Sequence, residues 1–204
     1  MAIRVAILAS GRGSDFQSII DGIDRGEVDA RIVLLITDKV DAKAIERAER
    51  HGIPHKIIQP SNYKDRVEHD RAIRIALDEA GVGLVVLAGY MRVIRDKDFL
   101  KAYSGKIINI HPSLLPSFPG AHAQRDAFEY GAKVSGYTIH FVDDSLDGGP
   151  IIHQEAVYIG DCKSMEEAAE RILAKEHVGL PKVVDSFSKG RYTISGRKAE
   201  YRAL

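Results

Sequence analysis

The chain has 204 residues, 45% hydrophobic and 28% charged, which suits one soluble domain with a core that needs no staples. Its 29 basic residues balance 29 acidic ones, so a broad nucleic-acid or membrane face is not expected, although a local basic pocket stays open. Cys162 is the only cysteine and cannot close an internal disulfide, and the apolar run from Ile3 to Ala9 is too short for a bilayer and has no basic leader, so a cytoplasmic protein is expected.

Residues 3–9 read as a strand buried on both faces. Gly11-Arg12-Gly13-Ser14 is a turn, and Ile19, Ile20 and Ile23 recur behind it at helical spacing. A strand over 31–37, a helix over 42–50 stopped by Gly52, a short strand over 55–58 and a helix over 65–80 follow. Residues 83–88 form another buried strand, ended by Gly89. Such alternation implies an α/β fold: a doubly wound, mostly parallel, Rossmann-like sheet with helices on both faces. Ligands in these sheets sit at the carboxyl ends of strands. That rule selects Ser10 to Ser14, Gly89 to Ile94 and whatever follows the strand at 106–110.

The second half reads differently. Residues 109–120 are proline-rich; 133–142 and 150–158 read as strands of an antiparallel C-terminal extension. A helix over 165–178 has Ser164 as N-cap with Glu167 three residues on, and 192–194 adds a short strand. No repeat, low-complexity tract or linker interrupts the chain, so residues 1–204 are expected to form one domain.

Four segments carry chemistry. The glycine turn lets backbone N–H groups approach an anion at a helix N-terminus. It lacks the third glycine of the dinucleotide fingerprint and the Gly-Lys-Ser/Thr of the P-loop, so a single phosphate is the expected anion. A bare strand-to-helix turn is equally compatible with it. Asp15 sets a carboxylate near that anion; Arg12 could offset it, or Asp15 could cap the helix instead. In Ile108-Asn109-Ile110-His111-Pro112, strand alternation puts Asn109 and His111 on one face. An amide there can stabilise an acyl-transfer oxyanion, and an imidazole can carry protons; taken alone the pair also fits a satisfied polar strand end. Asp143 to Gly149 is a turn with three aspartates, more than a turn requires, and Asp147 beside the glycines is the candidate partner for an imidazole. Gly89 to Ile94 could line a slot for a flat ring or simply be core.

No Gly-x-Ser-x-Gly elbow or catalytic cysteine signature occurs, and the eight histidines form no metal pattern; Gly52 and Pro54 break the helix that would align His51 with His55. His122 is expected near the site by loop proximity, without a metal. The chemistry must then rest on positioning, proton transfer and oxyanion stabilisation, with the substrate bringing its own nucleophile.

Together these segments resemble the glycinamide ribonucleotide formyltransferases of purine biosynthesis. The signatures are Ser10-Gly11-Arg12-Gly13-Ser14, Leu87-Ala88-Gly89-Tyr90-Met91-Arg92, Asn109-Ile110-His111-Pro112-Ser113-Leu114-Leu115-Pro116 and Leu146-Asp147-Gly148-Gly149-Pro150, in the family's order over nearly the whole chain. The resemblance implies a phosphate-binding half over 1–100 and a catalytic and folate-binding half over 101–204. It implies that Gly13, Ser14 and Asp15 hold the ribonucleotide phosphate and Glu176 its ribose end. Met91, Arg92, Val93 and Ile94, with Asn109, Val142, Asp143 and Asp144, would hold 10-formyltetrahydrofolate, and Arg66 would contact it. His111 would donate the proton, Asn109 polarise the formyl oxygen, and Asp147 keep His111 oriented and charged. No metal is implied; the partners are small molecules, and the chain would act as a monomer or homodimer. Asp15 departs from the asparagine of many relatives, and Gln124 stands where some carry a second histidine after the equivalent of His122.

Three other readings compete. A 10-formyltetrahydrofolate hydrolase shares the core but usually adds an N-terminal regulatory domain, for which a first strand starting at residue 3 leaves no room. A methionyl-tRNA formyltransferase needs an RNA-binding domain that neither length nor charge supports. A non-catalytic phosphoribosyl-binding module needs no Asn-x-His pair with a carboxylate.

Overall fold

The structure, a computed structural model, describes residues 2–203. Strand β1 (Ile3–Leu8) alternates its buried side chains between two cores. Val5, Ile7 and Ala9 pack with Phe16, Ile19 and Ile20 of helix α1 (Ser14–Asp24). Ala6 and Leu8 turn to the other face, against Ile73, Ala76 and Leu77 of α3 (Arg66–Glu79). A strand covered on both faces reads as a continuous apolar run for this reason. Each fully buried aliphatic side chain contributes roughly 1.5–3 kcal/mol relative to exposure.

Strands β2 (Ala30–Thr37), β3 (His55–Ile57), β4 (Leu84–Leu87) and β5 (Ile107–His111) join β1 in parallel, in the order β3-β2-β1-β4-β5. The chain winds outward from β1 to β3, then crosses back to β4. The switch point therefore lies between β1 and β4, where their carboxyl ends release Ser10–Ser14 and Gly89–Ile94. Strands β6 (Val134–Phe141) and β7 (Ile151–Tyr158) continue the sheet antiparallel, as expected. The hairpin of β8 (Gly190–Ser195) and β9 (Lys198–Ala203) completes nine strands among the described residues, β9 pairing with β7 at Ile151 and Lys198.

Helices α2 (Ala44–Arg50), α5 (Ala123–Tyr130) and α6 (Met165–Lys189) share the α1 face, and α4 (Lys97–Ala102) joins α3 on the other. Ser164 caps α6, accepting from the Glu167 N–H. That helix runs eleven residues past the expected end at Val178, through Gly179 and Pro181. Its buried stripe continues in Leu180, Val183 and Val184, and the lost N–H of one proline does not outweigh that burial. Helices α4 and α5 and strand β9 were not expected; α4 and α5 are short, and β9 pairs near the end of the sheet. Among the described residues no helix is long and apolar enough to cross a membrane.

Candidate active site

The carboxyl ends of β1, β4 and β5 open into a cavity of about 560 Å³. Its walls come from Ser10–Asp15, Leu87–Ile94, Asn109–Pro112, part of the loop 140–147, and Leu173 and Glu176 of α6. All three segments selected by the switch-point rule therefore meet.

At one end is the glycine turn. Gly13 has φ +67°, a left-handed conformation that costs glycine nothing, and precedes α1 as its N-cap. A Cβ there would also lie 2.9 Å from Ala44 Cβ, so α2 can press close. Asp15 does not cap the helix. Its side chain is 13% exposed, with Oδ1 at 3.7 Å from His177 Nε2, and neither atom has a hydrogen-bond partner. Burial pushes the Asp15 carboxyl up to about 6, against the pull of the Arg12 charge. Glu176, 4% exposed, is raised well above its ordinary value by burial and then by Asp15. Burial also lowers the His177 imidazole, so that ring does not supply a firm countercharge.

In the middle lies the slot formed by Met91–Ile94. Gly89 turns with φ +72°, its carbonyl accepting from the Ser10 N–H, while Ser10 Oγ accepts from the Met91 N–H at 3.0 Å. The Arg92 guanidinium donates to Asp38 at the end of β2. Burial raises the Asp38 carboxyl, but hydrogen bonds from Ser10 and Arg92 and the Arg92 charge outweigh it and hold it below its usual range. The slot is thus tied to the ends of β1 and β2. Tyr90 and Ile94 are core, whereas Met91 and Leu146 are each 59% exposed at the cavity mouth.

At the far end, β5 presents Asn109 and His111. His111 is 4% exposed, and its Nε2 lies 2.9 Å from the Phe118 carbonyl. A carbonyl only accepts, so Nε2 carries a proton. Ser113 Oγ lies between the carbonyls of Ser117 and Phe118 and braces the same turn. The other ring nitrogen, Nδ1, faces Asp147 Oδ2 at 3.6 Å. Asp147 sits at φ +51° and accepts from the Gly120 N–H at 2.8 Å, linking two loops over the histidine. The amide, imidazole and carboxylate expected from sequence are therefore neighbours.

His140, missed from sequence, completes the group. The β5–β6 register sets it opposite Asn109. Its Nδ1 donates to the Phe141 carbonyl at 2.8 Å, leaving Nε2 to accept from Asn109 Nδ2 at 3.1 Å. Burial lowers its pKa, consistent with a neutral acceptor. One amide hydrogen is thereby fixed and the other left over. A histidine set between Ile139 and Phe141 in a strand was the available signal, but only the register gives it a partner. Asp38, which anchors Arg92, is a further contributor that motif reading did not select.

Gly13, Ser14, Asp15, Glu176, Met91, Arg92, Val93, Ile94, Val142 and Asp143 line the cavity. Arg66, Asp144 and His122 do not. Arg66 is exposed at the start of α3, Asp144 is exposed on its loop, and His122 is the exposed N-cap of α5, with Ala121 and Gln124 facing the cavity instead.

A doubly wound sheet whose switch-point cavity carries a glycine turn at one end and an amide, an imidazole and a carboxylate at the other has the make-up of a group-transfer enzyme. A sequence profile for the family described as formyl transferase matches residues 3–184, and the chain belongs to that family. The phosphoribosylglycinamide formyltransferase of Bacillus subtilis is 45% identical over 181 residues, 89% of this chain and 92% of that protein. The trifunctional purine biosynthetic protein adenosine-3 of Homo sapiens is 41% identical over 92% of this chain, which spans 18% of that protein. The crystal structure of glycinamide ribonucleotide transformylase 1 from Symbiobacterium toebii matches with a TM-score of 0.94 at 44% identity, covering 98% of this chain and 94% of that one. The chain is a one-carbon transferase.

Proposed function

We propose that this enzyme moves the formyl group of 10-formyltetrahydrofolate to the amine of N1-(5-phospho-D-ribosyl)glycinamide, giving the N-formyl product and tetrahydrofolate in purine biosynthesis. The relatives at 36–45% identity that carry the name phosphoribosylglycinamide formyltransferase support this substrate pair. The observation that carries the mechanism is the meeting of Asn109, His111 and Asp147, with His111 Nδ1 at 3.6 Å from Asp147 Oδ2. Two ends suit two substrates. The glycine turn at the N-terminus of α1 offers N–H donors to a phosphate through Gly13, Ser14 and Asp15, with Glu176 for the ribose. The slot of Met91–Ile94, closed by Val142, Asp143 and Leu146, suits the flat pterin, apolar on its faces and read by backbone groups at its edge.

The substrate amine attacks the formyl carbon. The free hydrogen of the Asn109 amide, set by His140, stabilises the oxyanion. As the bond from the formyl carbon to the folate nitrogen breaks, His111 Nδ1 passes a proton to that nitrogen and takes up the proton the attacking amine sheds, so the ring ends as it began, while Asp147 keeps it oriented and charged. No residue of the chain forms a covalent bond, and the proposed scheme uses no metal.

Phosphate contacts come mainly from residues 1–100 and catalytic groups from 101–204, yet one sheet joins them and each half lends residues to the other end. We therefore read residues 1–204 as one functional domain. We propose that it acts as a monomer or a homodimer. The small-molecule chemistry and the single cysteine favour the cytoplasm.

A formyl-transfer assay with and without glycinamide ribonucleotide tests this reading. Folate turnover only with the amine is expected. Turnover without it would support a hydrolase, and no turnover a binding module.

A further inference from the structure

The glycine turn is held from behind. Three consecutive carbonyls leave it toward α1 and α2: Gly11 O accepts from the Ala44 N–H at 3.1 Å, Arg12 O from Arg47 Nε at 2.9 Å, and Gly13 O from the Gln17 N–H at 3.0 Å. In a trans peptide the carbonyl and the following N–H point opposite ways. Drawing these carbonyls toward the helices therefore turns the N–H groups of residues 12, 13 and 14 away from them. Two of the three restraints are backbone bonds. The one at the centre of the turn is a side chain, Arg47. Its Nη1 also donates to Gln17 Oε1 at 2.9 Å, and Gln17 Nε2 donates on to Asp21, so the guanidinium is gripped at two points.

We propose that Arg47 is a positioning residue for phosphate recognition: bonded to the Arg12 carbonyl and the Gln17 amide, its guanidinium aims the Gly13 N–H at the substrate phosphate. The proposal rests on the phosphate reading of the turn given above. Arg47 donates from both Nε and Nη1, and its charge adds to the positive end of α1. A lysine donates from one atom and cannot hold both acceptors in a fixed fork.

The test compares wild type with Arg47→Ala, Arg47→Lys and Gln17→Ala, using glycinamide ribonucleotide and its dephosphorylated riboside. The readout is the ratio of kcat/KM for the two substrates. Wild type is expected to prefer the phosphorylated form strongly. Arg47→Ala should lose about tenfold or more of that preference, the size of one charge-assisted hydrogen bond. The loss should fall on KM for the ribonucleotide, with kcat and KM for the formyl donor within about twofold, the scatter of a peripheral change. Arg47→Lys should recover part of the ratio, and Gln17→Ala should fall between wild type and Arg47→Ala. An unchanged ratio in Arg47→Ala, or an equal loss on both substrates, overturns the proposal. If Arg47→Ala does not fold, full preference in both other variants overturns it. A wild type indifferent to the phosphate overturns the phosphate reading itself, and this proposal with it.

Discussion

His111 donates a hydrogen bond from Nε2 to the Phe118 carbonyl at 2.9 Å, so Nδ1, 3.6 Å from Asp147 Oδ2, is the other ring nitrogen and the one the proposed mechanism uses. Asp147 does two jobs here, since it also accepts from the Gly120 N–H. Asp147→Asn keeps an acceptor for Gly120 but removes the charge facing Nδ1. We expect kcat to fall about 10²–10⁴-fold, the range for losing one acid–base function, with KM values shifting far less. Asp147→Ala also frees the Gly120 N–H, and KM for folate should rise as well. Steady-state kinetics on both variants check this; full turnover by the Asn variant contradicts it.

His140 sets the Asn109 amide without touching the reacting atoms. His140→Leu leaves that amide free to rotate, and kcat should drop about tenfold, one hydrogen bond's worth of orientation. Because burial lowers the His140 pKa, the ring is neutral at and above pH 7. The shape of the pH–rate profile in that range should therefore match wild type. A profile that loses a limb would instead assign His140 a proton-carrying role.

Asp15 makes a pH-dependent prediction. Burial raises its carboxyl from 3.8 to about 6, so the folded protein holds a proton that the unfolded chain releases near pH 4. Stability attributable to this group is intact below about 4 and falls as pH rises from there through about 6. Asp15→Asn should therefore raise the Tm by a few degrees at pH 8 and leave it unchanged at pH 4. Under the proposed phosphate reading of the turn, ionised Asp15 repels the substrate phosphate, so the KM ratio of wild type to variant should climb above pH 6. Thermal melts and KM measured across pH 5–8 check both, and a ratio flat with pH contradicts the second.

Gly149 is fixed by a close approach. A Cβ there would lie 1.9 Å from the Phe141 carbonyl, which accepts from His140 Nδ1. Gly149→Ala should cost about 1–3 kcal/mol by overpacking and disturb the loop that carries Asp147. Chemical denaturation should show the loss, and kcat should fall with it. A variant as stable and active as wild type would mean the loop relaxes freely.

Much of this was legible in the sequence because local rules set it. The apolar run at Ile3–Leu8 and the turn at Gly11–Ser14 place a strand and a helix start wherever they occur. Strand alternation alone put Asn109 and His111 on one side. What stayed hidden depends on pairing across the chain. His140 gains its partner only through the β5–β6 register, and Asp38 only because Arg92 reaches across from the loop after β4. The end of α6 stayed hidden too: the expected helix stops at Val178, yet the buried stripe of Leu180, Val183 and Val184 carries it through Pro181 to Lys189.

Single-turnover formyl transfer by His111→Ala tests the core of the account. With substrate affinities within a few-fold of wild type, the rate of formyl transfer should fall by at least about 10²-fold, as for removal of a general acid. An undiminished rate would mean that the proton reaches the folate nitrogen by another route and that the imidazole is only part of the wall.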